Sequence, residues 1–157
     1  ASRESTIAHA FASAIAPNDE FEDEKIRDAI LWLGQDPDRD LRCAYCDADA
    51  KTWDHVAGIV KSKRFSGFSH RIGNLLPCCE HCNSSKGNLD WKMYMSKIEM
   101  PEKKRQKQIS LIQSYLDQFT VSDILPEGCP EIDEMEEIKG QIIALMVKAD
   151  EIGRAHV

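Results

Sequence analysis

Two Cys-x-x-Cys pairs, Cys43 and Cys46 in CAYC and Cys79 and Cys82 in CEHC, are separated by 32 residues. Four thiolates so spaced are the donor set of a closed tetrahedral zinc site, each pair forming one tight knuckle. A closed site has no open position for water, so its zinc is structural. Between the pairs lies WDHV (53–56), where Asp54 and His55 are neighbours, and Asn83 follows the second pair directly. Carboxylate and amide oxygens suit a hard divalent cation, Mg2+ or Mn2+, which keeps waters and binds phosphate oxygen. Neighbouring side chains on a strand face opposite sides. Asp54 would then reach a metal from one face while His55 works from the other. An imidazole with the ordinary pKa of about 6.5 takes a proton from water near neutral pH.

These residues need elements to carry them. KTWDHVAGIV (51–60) is β-prone and NLLPCC (74–79) is a short apolar strand, so the two form a hairpin joined by the polar, glycine-bearing stretch 61–73. On that strand Cys78 points away from the metal and reads as a buried apolar thiol. NSSKGNLDWKMYMSKI leads into a helix in two pieces, broken near Gly87, with Asp90 capping the second. Residues 18–34 read as a helix with Ile26, Ala29, Ile30 and Leu33 on one face. Residues 100–119 read as another, with Ile109, Ile112, Leu116 and Phe119 aligned. A linker with two prolines (120–132) precedes an acidic helix, 132–152, whose stripe of Ile132, Met135, Ile138, Ile142 and Leu145 reads as intramolecular core. Trp53 and Trp91 read as core flanking the zinc. Cys129, His9 and His156 receive no role.

The net charge of −7 is unevenly spread. Residues 1–40 carry −6, residues 41–121 carry +5 and residues 122–157 carry −6. A basic middle between acidic ends suits phosphate contact, as it suits a solvated surface. No apolar run approaches the ~20 residues of a membrane span, and the Ala-rich start lacks the pattern of a secretory signal. The expectation is a cytoplasmic protein, where clustered cysteines serve as metal ligands rather than disulfides.

The spaced elements CAYC, DHV, NLLPCCEHCN and SSKG together resemble the HNH, or ββα-metal, endonucleases, in their four-cysteine zinc-stabilised branch of phage junction-resolving and restriction nucleases. The resemblance covers residues 43–97, about a third of the chain. It implies that His55 is the general base activating water, that Asp54 and Asn83 bind the catalytic Mg2+ or Mn2+, and that Asn74 holds the connecting loop and orients His55. Lys86 would lie near a phosphate. The loop between His55 and Asn74 is longer than in compact relatives. Its Lys61, Lys63, Arg64 and Arg71 would lie along DNA, and His70 is a second, weaker proton carrier. Asn83 stands where many members carry histidine.

The expected fold is α+β: a small ββα-metal core with a four-cysteine zinc site, residues 41–98, flanked by helical regions 1–40 and 99–157. The expected function is metal-dependent hydrolysis of phosphodiester bonds in double-stranded DNA, as a restriction or phage and mobile-element nuclease. A double-strand break from one site per chain calls for a homodimer. The acidic terminal helices offer a surface to a protein partner. The alternative is a zinc-built module that recognises nucleic acid or protein without cutting.

Overall fold

The computed structural model describes residues 3–20, 22–121 and 130–155; Cys129 and His156 lie outside them, as does most of the expected linker. The elements in chain order are α1 (Arg3–Ile15), α2 (Asp23–Trp32), β1 (Thr52–His55), β2 (Val60–Lys61), β3 (Arg64–Phe65), β4 (Leu75–Cys78), α3 (Glu80–Lys86), α4 (Trp91–Lys97), α5 (Glu102–Phe119) and α6 (Pro130–Ala155). Mixed helices and small sheets make this an α+β chain. No helix among the described residues is long and apolar enough to cross a membrane.

The chain divides into two compact units that do not follow the expected linear partition. The larger joins Pro17–Gly58 to Phe68–Asp123. Here β1 and β4 pair antiparallel, with Thr52 opposite Cys78 and His55 opposite Leu75, as the hairpin reading anticipates. Side chains alternate on β1, so Asp54 is buried while Trp53 is 48% exposed. Trp53 is therefore not core, whereas Trp91 on α4 is buried as expected. The chain turns from β4 into α3 at once. Gly87, with φ of 48°, ends that helix, and the Asp90 carboxylate accepts from the Lys92 and Met93 N–H groups to start α4. The helix expected over 18–34 is shorter and begins at Asp23. On α5, Ile112 and Tyr115 are buried, and Ile109, Leu116 and Phe119 pack beside them. The Tyr115 hydroxyl accepts from the Gly73 N–H and donates to the Leu75 carbonyl, each at 2.8 Å, which fixes α5 to the start of β4. Leu76, Cys78, Tyr45 and Met95 fill the centre with almost no exposure.

The smaller unit is drawn from Ala1–Ala16, Ile59–Gly67 and Ile124–Val157. Its helix α1 lies within the expected helical region 1–40, where the sequence marks out a helix only over 18–34. Alanine favours helix strongly, but an alanine-rich segment shows little apolar contrast, and only Ala8 and Ala12 are buried in it. The supposed irregular loop also contains order. β2 and β3 pair around Ser62 and Lys63, both at positive φ (51° and 65°). That is the backbone of a two-residue hairpin turn, made here without the glycine or asparagine that would announce it. In α6, Ile132 and Met135 are half-buried, but Ile138, Ile142 and Leu145 are exposed. The stripe is not intramolecular core. The helix turns Lys139 inward instead, where its ammonium donates to the Lys63 carbonyl (3.0 Å) and to Glu136.

Candidate zinc centre and hydrolytic site

The two knuckles meet. The Sγ atoms of Cys43, Cys46, Cys79 and Cys82 all lie within 4.8 Å of one another. A tetrahedron with Zn–S near 2.3 Å has an S–S edge of about 3.8 Å, and Cys46 and Cys79 are 3.7 Å apart. The donor set therefore fits a zinc ion. Local backbone builds each knuckle. Asp47, at φ 72°, turns the first so that its N–H bonds the Cys43 carbonyl (2.9 Å). In the second, the Cys79 sulfur caps α3 by accepting from the Cys82 N–H (3.4 Å). The Cys78 thiol and backbone N–H groups of both knuckles hold the Cys43 thiol down to about 4, against its burial. Cys78 itself is raised, first by its contact with Cys43; it is a buried thiol outside the donor set, as expected, but its sulfur lies 3.9 Å from that of Cys43 rather than pointing away from the knuckles.

α3 lies on β1 and sends two side chains to it one turn apart. Asn83 Nδ2 donates to Thr52 Oγ1 (3.0 Å) and to the Trp53 carbonyl (3.3 Å). Lys86 reaches deeper. Its side chain is 1% exposed and its ammonium lies 3.0 Å and 3.2 Å from the two oxygens of Asp54, whose side chain is 4% exposed. The same ammonium donates to the His55 carbonyl at 2.8 Å. The Tyr45 hydroxyl completes the carboxylate with a 2.6 Å bond to Oδ2. Burial pushes the Asp54 carboxyl up, while Tyr45 and Lys86 oppose the shift.

His55 ends β1 on the opposite side from Asp54. Its Nε2 is 2.8 Å from His70 Nδ1, with the rings nearly edge to face. His70 is tied by its own N–H to the Pro17 carbonyl (3.3 Å) and by a bridge to Asn18. Burial first, then His70 and Lys86, lower the His55 pKa to about 4, so its ring is neutral at physiological pH. With Nε2 engaged by His70, Nδ1 is the other ring nitrogen. Asn74 is buried and clasps the chain where it leaves and re-enters the larger unit. Its Oδ1 accepts from the Ala57 N–H (2.8 Å), and Nδ2 donates to the Ala57 and Ser69 carbonyls (3.0 Å each).

The structure therefore gathers His55, Asn74, Asp54 and Asn83 around one hairpin and helix. It does not leave Asp54 open to a hydrated divalent ion. Mg2+ keeps several waters at near-octahedral geometry, and both Asp54 oxygens already hold an ammonium and a phenol in a closed pocket. The residues do not fit a metal at Asp54 in this arrangement. Nor does Lys86 face a phosphate, since its charge is spent inside. The other expected DNA contacts fall in both units. Lys61 is exposed, Lys63 pairs with Glu4 (2.7 Å) and Arg64 lies 3.7 Å from Glu136, all in the smaller unit, while Arg71 lies 4.0 Å from Asp19 in the larger. Tyr45 was hidden from the sequence reading inside the first knuckle. His70 was visible, but nothing in a spacing of 15 residues announces its bond to His55.

A scan against protein-family models, a search of curated proteins and a search of solved structures each found no match to this chain.

Proposed function

We propose that the chain is an endonuclease of the HNH type that hydrolyses DNA phosphodiester bonds with His55 as general base. The observation that carries this reading is the placement of His55 at the end of β1, its Nε2 2.8 Å from His70 Nδ1, with Asp54 turned to the other side of the strand. A hairpin followed directly by a helix, with a four-cysteine cluster at its root, supports reading this core as ββα-metal. In the proposed reaction Nδ1 takes a proton from water, the hydroxide adds to phosphorus, and the bond to the 3′ oxygen breaks, that oxygen taking a proton from a second water to become the hydroxyl. The products are a 5′-phosphate and a 3′-hydroxyl. Asn74 fixes the loop beside the base, and zinc holds the scaffold without joining the chemistry. No step is drawn through a metal at Asp54.

A second reading is a zinc-built recognition module that binds without cutting. It is favoured by the burial of Lys86 and by the carboxylate partners of Lys63 and Arg64. Incubation of the zinc-loaded protein with supercoiled plasmid, with and without Mn2+, separates the two. Nicked circles that DNA ligase reseals are the expected result, because only 5′-phosphate and 3′-hydroxyl ends are resealed. No cutting of linear, supercoiled or branched DNA, with binding retained, would favour the recognition module.

A further inference from the structure

We infer that Lys86 is the resident cation of Asp54 and stands where the family resemblance puts a divalent metal, so that Asp54 is not a metal ligand in this chain. Charge and space both argue for it. A divalent ion bound by a carboxylate oxygen sits about 2.1 Å from it. The Lys86 ammonium is already 3.0 Å from one Asp54 oxygen and 3.2 Å from the other. Two cations would crowd one carboxylate, in a pocket where charge repulsion is weakly screened. The two therefore compete for it.

The ammonium is also well satisfied where it is. Besides Asp54 it donates to the His55 carbonyl at 2.8 Å and lies 3.5 Å from the Gly87 carbonyl. Its stem comes from the last turn of α3, whose end is fixed by the Gly87 N–H bonded to the Asn83 carbonyl at 3.1 Å. A buried ammonium that leaves its carboxylate strands both charges. The Tyr45 phenol donates to Oδ2 as well, which leaves Oδ1 to Lys86. Lys86 thus joins the buried carboxylate to the backbone of the candidate base, and positions His55 without touching substrate. Any divalent ion that the reaction uses would be held elsewhere, by Asn83 and the substrate's own phosphate oxygens.

The inference rests on the hydrolase reading only for the purpose of the site, and its test does not need catalysis. Mn2+ binding is titrated by electron paramagnetic resonance on zinc-loaded protein without DNA. The samples are wild type, Lys86→Met, and the double variant Asp54→Asn with Lys86→Met, which removes both buried charges together and guards against misfolding of the single variant. Near-UV circular dichroism checks the fold of each. Wild type and the double variant should bind Mn2+ equally weakly or not at all. A folded Lys86→Met, its carboxylate freed of the ammonium, should bind at least tenfold more tightly than either. Wild-type binding that the double variant weakens tenfold or more would overturn the inference, and so would a folded Lys86→Met that gains nothing. Loss of plasmid nicking, by contrast, bears on the hydrolase reading alone.

Discussion

His55 and Asp54 are adjacent in sequence and opposite in surroundings. The strand turns one toward a half-buried pocket beside His70 and the other into a sealed pocket with Tyr45 and Lys86. Alternation on a strand made that division legible in advance. What filled each pocket was not, because Tyr45 and Lys86 are nine and 32 residues from Asp54 and no local pattern links them. The assignment of Lys86 to a phosphate failed for this reason: a lysine in a motif looks the same whether its ammonium faces solvent or a buried carboxylate. The lowered pKa of His55 gives a prediction at this scale. Its folded value of about 4 lies below the ordinary value of about 6.5 that the unfolded chain would show, so the unfolded state binds the proton more tightly between them. This group's contribution to stability is complete above pH about 6.5 and is lost as pH falls toward 4. Nuclear magnetic resonance should place the His55 midpoint far below that of a free histidine, and His55→Asn should flatten the acid side of the stability profile. A midpoint near 6.5 would show that the ring is solvated and free of His70.

At the scale of elements, the hairpin of β1 and β4, the broken helix pair α3 and α4, and α5 were all legible. Each is announced by a local signal: alternation, a glycine stop, an aspartate cap or a repeating apolar face. α1 and the β2–β3 hairpin gave no such signal, since one is alanine-rich and the other turns through Ser62 and Lys63. α6 shows the limit of periodicity, which finds a helix but does not say which face is covered. Gly73 is a tight point between elements. At φ 91° it sits where a Cβ would come within 2.2 Å of the Phe119 carbonyl oxygen, a backbone atom at the end of α5. Gly73→Ala must both strain its own backbone and push α5 away from β4. A cost of about 3 kcal/mol or more is expected, read from urea unfolding. A loss below about 1 kcal/mol, with the fold intact, would mean that α5 is not locked to β4 in the way described.

Across the whole molecule the basic middle and acidic ends visible in the sequence do not map onto linear domains. The smaller unit takes the basic residues Lys61, Lys63 and Arg64 from the middle and gathers them with the acidic terminal segments, where two of them meet Glu4 and Glu136. Long-range contacts of this kind leave no trace in composition, so a division by charge could not find them. The larger unit has the knuckles at its root, and structural zinc supplies roughly 10–16 kcal/mol in small domains that depend on it. Stripping zinc with a chelator, or replacing Cys46 with Ser, should abolish the near-UV signal of Tyr45, Trp91 and Tyr94, which pack in that core. A zinc-free protein with an unchanged melting curve would mean the cysteine cluster is not what holds the unit together.

The central claim is that a zinc-stapled hairpin presents His55 to water at a phosphodiester. It is tested most directly by comparing plasmid nicking by wild type and His55→Ala at equal zinc content and equal melting temperature. General-base catalysis contributes about 10²–10⁴-fold, so the variant should nick at least about a hundredfold more slowly while keeping its zinc and its fold. Nicking by His55→Ala at the wild-type rate would contradict the account.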